Sequence, residues 1–310
     1  MAKFVLRRLI QAIPLLILLS FLTYIIMLLA PGDAASLYAE NPRITAADRA
    51  RIVSSLGLDR PWYEQYGRWA WGMVTGNWGR SFTSGRPVLE EIYDRLWATL
   101  QLMMLSFLIS FCLAVPLGII SAIKRYSFLD WFVTTGSLFG VSIPTFWFGL
   151  MAQMVFAVYL RWLPSGGQFT IGMGFNLLDR LRYILMPAFV LGLVSIAGWS
   201  RYVRSSMLDV LGQDYIRTAR AKGLTEKTVI FKHALKNALI PVVTIMGLEL
   251  PAFFGGAVIT ESIFAWPGMG RLLFTAVMAR NYPIVMGIVM ITAVLVIAGN
   301  LLADITYAFL

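Results

Sequence analysis

Apolar and polar positions are segregated along this chain: long uncharged runs alternate with short charged segments. Residues 9–30 form an uncharged run of about 22 residues, long enough as a helix to cross a hydrocarbon core about 30 Å thick. Residues 98–121 are a second such run, with Pro116 and Gly118 near its end. The third, 131–160, is longer than a span needs and is interrupted by Ser142-Ile143-Pro144. A proline there is expected to bend the helix and free a carbonyl to face a neighbour or a cavity. Residues 184–200, 237 to about 258, and 284–309 supply three more. The predicted fold is therefore all-α, a polytopic membrane protein with about six transmembrane helices. A secretory signal has a similar basic start but a shorter apolar core and a small-residue cleavage site, so the first run reads as a retained helix.

The polar segments divide into two kinds. Residues 31–97 are the long insertion, carrying eight Arg against eight Asp plus Glu and no Lys. Within it, 45–56 (TAADRARIVSSL) predicts a capped amphipathic helix ended by Gly57. The following PWYEQYGRWAWGMVTGNWGRSFTSGRPV is dense in Trp, Tyr and Gly. Such aromatics suit either headgroup depth at a membrane interface or a protein contact. The other kind is basic: Lys3, Arg7 and Arg8 at the start, Lys124 and Arg125 between the second and third runs, and eight Lys or Arg over 201–236. All six lysines fall in these three segments. The positive-inside rule then places them, and both termini, in the cytoplasm, with 31–97, 161–183 and 259–283 outside. The organisation expected is 1–30 as tail and first helix, 31–97 as extracytoplasmic loop, and 98–310 as a core of five helices.

Composition narrows the class. Hydrophobic residues make up 58% of the 310 and charged residues 14%, far from a soluble domain. One cysteine (Cys112) excludes a disulfide framework, and one histidine (His233) excludes a His-based metal site. The net charge of +10 is accounted for by membrane orientation, and no soluble basic domain for nucleic acid is present. No catalytic constellation, metal set or P-loop Gly-Lys pair is found. Few ionisable groups lie inside spans: Glu249 in the fifth, and Asp304 in the sixth with Asn300 one turn earlier. An intramembrane acid is a candidate pathway residue, although Glu249 could equally bond a neighbouring helix. Ser142, Pro144 and Glu249 are the pathway candidates.

The basic segment 214–241, DYIRTARAKGLTEKTVIFKHALKNALIP, has more internal order than a loop needs. Residues 215–222 are good helix formers with cations placed late, which suits the negative end of a helix dipole. Gly223 fits the left-handed position past a helix end. Thr225 can cap a following helix with Glu226 in its first turn. Ala219, Ala221 and Gly223 are small enough for another backbone to approach. Two short helices meeting at a glycine, offered to a partner, fit this pattern; so does a basic loop that only sets orientation.

TARAKGLTEKTVIFKHALKNALIP resembles the signature loop of membrane subunits of binding-protein-dependent ABC importers. The family pattern is Glu-Ala-Ala, three residues, Gly, nine residues, Ile-x-Leu-Pro. Aligned on Gly223, Arg217, Thr218 and Ala219 occupy the first three positions and only Ala219 matches. His233 stands at the Ile position, Leu235 matches and Lys236 replaces the Pro. These departures resemble the peptide and nickel branch. SLGLDRPWYEQYGRWAWG with GNWGRSFTSGRPV is similar to the first outside loop of the subunit with the larger such loop, Asn77-Trp78-Gly79 standing for the commoner Asp-Leu-Gly. VSIPTFWFGL, GLELPAFFGGAVITESIFAWPGMGRLL and NLLADITYAFL are similar too, so the resemblance covers nearly the whole chain. The family often continues with an Asp-Pro-Arg tail, so further residues are expected beyond Leu310.

The resemblance implies a type I ABC importer permease fold in a bacterial plasma (inner) membrane. It implies a second homologous permease subunit, two ATPase subunits and an extracytoplasmic solute-binding protein as partners. No cofactor is expected in this chain, ATP and Mg belonging to the ATPases. Arg217, Thr218, Ala219, Arg220, Ala221, Gly223, Leu224 and Leu235 would form the ATPase-coupling surface; Trp62, Trp69, Trp71 and Trp78 would help receive the binding protein. The expected function is half of an ATP-driven pathway for di- or oligopeptides. A stand-alone secondary carrier or channel, and a membrane scaffold without transport, are the alternatives.

Overall fold

The computed structural model describes residues 2–29, 45, 47, 51, 53–54, 57–249 and 252–309. Of the amphipathic helix expected over 45–56, seven of the twelve residues lie outside them, and residues 47, 51, 53 and 54 are helical. Among the described residues the chain is helical, with one isolated bridge, Arg80 to Pro87, in place of any strand. Among these residues, five helices are long and apolar enough to cross a membrane, and up to six if a bent pair counts as one span. The chain separates into two compact units, residues 1–98 with 267–301, and 99–266 with 302–310.

The first unit holds α1 (Ala2–Leu29), α2 (Trp62–Val74), the start of α3 (Val88–Ile123), α10 (Met269–Met278) and most of α11 (Tyr282–Phe309). α2 falls where the sequence reading had an aromatic loop. Pro61 opens it, its carbonyl accepting from the N–H groups of Glu64 and Gln65, and Glu64 sits in the first turn where a carboxylate suits the dipole. Arg60 and Arg68 bracket Glu64 at i−4 and i+4, at 2.7 and 3.0 Å. α2 is fastened to α1 by aromatic and hydroxyl contacts: Tyr66 bonds Ser20 at 2.9 Å and meets Phe21 edge-on at 5.6 Å. The loop after α2 is held by Asn281. Its Oδ1 accepts from the Phe82 N–H at 3.1 Å, and its Nδ2 donates to Ser81 Oγ at 2.8 Å and Thr83 Oγ1 at 3.1 Å. α3 begins at Val88, ten residues before the apolar run, because Glu90 and Glu91 are favourable in a first turn though hydropathy counts them as loop.

In the second unit α3 continues, followed by α4 (Phe128–Ser142), α5 (Thr145–Ala152) with a π-helical extension Gln153–Tyr159, α6 (Leu177–Leu211), α7 (Asp214–Ala221) and α9 (Ala252–Ile263). Between α7 and α9, Glu226–Thr228, a π-helical stretch Val229–Ala234 and Leu235–Glu249 run on continuously and are together called α8. The third run is bent where expected, and sharply enough to break the helix: α4 and α5 meet at 105°. Ile143 and Pro144 both have extended ψ, and the helix restarts at Thr145. Proline has no N–H to continue the first helix but suits the start of a second.

α6 packs against α4, α5, α8 and α9, and small residues set how close they come. A Cβ at Gly118 would lie 2.5 Å from Val203 Cβ and 2.7 Å from the Ser200 carbonyl oxygen. One at Gly140 would lie 3.0 Å from Ala197 Cβ. Ser137 and Ser200 share a hydrogen bond at 3.0 Å, and Ser110 bonds the Gly192 carbonyl at 3.1 Å. Close backbones joined by hydroxyls are how helices associate where lipid is as apolar as leucine.

Candidate functional site

The basic segment forms two helices meeting at a glycine. α7 starts with Asp214 in its first turn and carries Arg220 in its last. Gly223 follows with φ +75°, the left-handed region, and the Thr225 side chain then caps α8 by accepting from the Thr228 N–H. The structure adds a brace across the glycine: Arg220 Nε donates to Glu226 Oε1 at 2.7 Å and Nη2 to Oε2 at 3.4 Å. It also adds an inner face. Ile216 and Ala219 of α7 and Val229 and Ala234 of the π-helical stretch are buried, where the two elements pack. Tyr215 OH accepts from Asn237 Nδ2 at 3.0 Å.

This geometry sorts the residues singled out for coupling. Arg217, Thr218, Arg220, Ala221, Gly223 and Leu224 are exposed and share one surface region with Lys222 and Lys227. Leu235 is half-buried, and Ala219 is turned inward to hold α7 on its own chain. The motif alanine thus supports the surface from beneath.

Ten residues ahead of α7, Arg204 on α6 grips Asp130 in the first turn of α4. Arg204 Nε donates to Oδ1 at 2.6 Å and Nη2 to Oδ2 at 2.8 Å, a bidentate pair with Asp130 buried. Asp130 also accepts from Ser121 Oγ and from the Tyr126 N–H. One carboxylate therefore joins the end of α3, the Lys124–Arg125 turn, the start of α4 and the helix leading into α7. The sequence reading did not pair these residues, which lie 74 positions apart.

The pathway candidates lie apart from that cluster. Ser142 is exposed, and its hydroxyl donates back to the Leu138 carbonyl at 2.8 Å. Pro144 is exposed and opens α5. Glu249 ends the described part of α8, half-buried, and accepts from the Trp199 indole N–H. The Asp304 side chain lies outside the described residues. A carboxylate the sequence reading put in an outside loop, Glu261, is instead fully buried on α9 and accepts from Thr99 Oγ1 at 2.6 Å. Its signal was the apolar company in GAVITESIFAW.

The four tryptophans behave unequally. Trp62 meets Phe21 and Tyr63, Trp69 meets Tyr66, and Trp78 lies against Gly287. Trp71 is 71% exposed.

Comparison with known proteins bears on what this arrangement serves. Residues 114–310 match the family described as binding-protein-dependent transport system inner membrane component, and residues 1–103 match the N-terminal part of such membrane components. The chain belongs to that family. The permease is 47% identical to the oligopeptide transport system permease protein AppB of Bacillus subtilis, over 99% of this chain and 98% of that one. It is 39% identical to the dipeptide transport system permease protein DppB of Escherichia coli K12, over 99% and 97%. A putative peptide permease protein of Brucella suis is 42% identical over similar shares. Among solved structures, a chain from the crystal structure of an amino acid ABC transporter with histidines matches at TM-score 0.50 and 15% identity, covering 72% of the permease and 95% of that chain. That likeness speaks for the fold alone. The permease is thus a multi-pass inner-membrane subunit of an ABC importer, a transport subunit rather than an enzyme. The stand-alone carrier or channel is not favoured.

Proposed function

We propose that this chain forms half of the translocation pathway of an importer of di- or oligopeptides, delivered by an extracytoplasmic solute-binding protein. The observation that carries the reading is full-length similarity to two permeases named for oligopeptide and dipeptide transport. A second homologous permease completes the pathway, and two ATPases holding ATP and Mg supply the drive; this chain has no P-loop of its own.

Coupling runs through the exposed face of α7 and the turn at Gly223. Cations there pair with acids at the rim of an ATPase groove, and Ala221 and Gly223 leave room for close seating. The Arg220–Glu226 brace and the buried Ile216 and Ala219 let α7 carry a push to α6 and α8 as a rigid body, the means by which nucleotide closure would switch the two permeases between inward-facing and outward-facing states. Both termini and this segment lie in the cytoplasm; the segment around α2 lies outside, where Trp71 helps receive the binding protein.

The test is purification in mild detergent from the native host, identification of the co-purifying chains, and reconstitution. Recovery of two P-loop ATPases and a second permease, with ATP-dependent uptake of labelled trialanine when binding protein is supplied, is the expected result. A lone homo-oligomer that transports without ATP would overturn it.

A further inference from the structure

Glu249 has surroundings that a helix-to-helix hydrogen bond does not require. Its Oε2 accepts from the Trp199 indole N–H. Trp199 stands in a cluster of three rings: Phe107 meets it edge-on at 5.3 Å between centroids, Phe253 lies 6.3 Å from it, and Phe107 and Phe253 lie 6.4 Å apart. Trp199 and Phe253 are buried, while Glu249 is half-buried and so keeps an open side. No hydrogen bond to its Oε1 is seen among the described residues.

The charges on the surrounding elements are placed elsewhere. On α8 the nearest cation before it is Lys236, 13 residues and about 20 Å of helix away. Arg201 on α6 is two residues beyond Trp199, turned by about 200° around the helix and exposed. Arg204 is committed to Asp130, and Glu261 on α9 is bonded to Thr99. α3 carries its charges at its start, Glu90 to Arg95. A carboxylate fixed by an indole N–H and backed by aromatic rings, with no cation bonded to it among the described residues, has the chemistry to receive an ammonium group. The carboxylate supplies the charge and the rings a polarisable, dry wall.

We infer that Glu249, oriented by Trp199, binds the α-ammonium of a peptide in transit, and so favours peptides with a free amino terminus. This rests on the peptide-importer reading above, and the experiment separates the two.

The full complex, wild type and Glu249→Gln, is reconstituted in vesicles and supplied with binding protein and labelled trialanine at pH 6.5 and pH 9. Glutamine keeps an acceptor for the Trp199 N–H and removes only the charge. Uptake by the variant should fall about tenfold at pH 6.5. The peptide's amino group titrates near pH 7.7–8.0, so by pH 9 the deficit should close to within about twofold. ATPase stimulation by loaded binding protein, which reports assembly, should change less than about twofold at pH 6.5. If Glu249→Gln matches wild type at pH 6.5, Glu249 only anchors Trp199 and the inference is wrong. A deficit that persists at pH 9 also overturns it, because the partner is then a fixed cation of the complex. Absence of uptake by wild type ends the peptide-importer reading itself. Glu249→Asp gives a second measurement should the glutamine variant not assemble: its smaller deficit, about threefold, must also close at pH 9.

Discussion

Single residues carry conformational and contact information that can be separated by substitution. Gly223 has φ +75°, yet a Cβ there would meet nothing within 4 Å. Its requirement is therefore backbone conformation, not space within the chain. Asparagine tolerates the left-handed region and a β-branched residue does not, the cost being about 1–2 kcal/mol. Gly223→Asn is accordingly expected to insert and transport within about threefold of wild type. Gly223→Val is expected to insert but to lose roughly tenfold in ATP-coupled uptake, through displacement of α7 from α8; unchanged uptake in the valine variant would count against coupling at this turn. Tryptophans divide in the same way. Trp62 packs on Phe21, so its removal acts on α1 and α2 together. Trp71 is 71% exposed and has no ring partner among the described residues. Trp71→Ala should leave thermal stability within about 0.5 kcal/mol, the usual range for a surface change, and weaken binding-protein affinity at least fivefold, measured by titration of stimulated ATPase. Equal affinity would remove Trp71 from the docking surface.

Helices show which parts of this fold were legible before any coordinates. Apolar runs found every long helix among the described residues, because twenty uncharged residues have few alternatives to a membrane span. Gly223 and Thr225 were read correctly from local chemistry alone, as helix end and helix cap. Pro144 marked the interruption, but its 105° turn depends on what α4 and α5 pack against. α2 and the early start of α3 escaped, since amphipathic and acidic turns look like loop to a hydropathy count. Least visible was the Asp130–Arg204 pair, where neither residue has a local signal and packing alone brings them together. With Asp130 buried and Arg204 three-quarters so, removing one partner strands the other, at a cost of about 3–5 kcal/mol. Asp130→Asn should thus lower the thermal midpoint of the detergent-purified complex substantially. Arg204→Lys should lower it less, keeping the charge and losing the two-pronged geometry. Near-wild-type midpoints in both would mean that the small-residue contacts at Gly118 and Gly140 hold α6 without the ion pair.

At the scale of the molecule, exposure and charge make separate statements about the surroundings. Much of α1 and α4 presents large apolar side chains outward, Ile26, Leu29, Phe132 and Phe139 among them, more than a protein in water leaves uncovered. Lipid and a second permease are the surfaces that would cover them. Charge gives the direction across the bilayer. All six lysines lie at the start of α1, between α3 and α4, or from Lys222 to Lys236, and the stretch carrying α2 has arginines matched by acids. Because retention of cations on the cytoplasmic side depends on Lys and Arg near span ends, the positive-inside rule predicts that these three lysine-bearing segments share the cytoplasmic side and that the α2 stretch is outside. Cysteine labelling tests this directly, since Cys112 is the chain's one cysteine and Cys112→Ala gives a clean background. Lys227→Cys and Arg68→Cys in that background place single thiols at exposed positions on α8 and α2. In right-side-out vesicles a membrane-impermeant maleimide should label the Arg68→Cys protein at once, and the Lys227→Cys protein only after the membrane is opened. Immediate labelling of both would put the basic segment outside, where no ATPase could reach it, and the coupling role would fall with the topology.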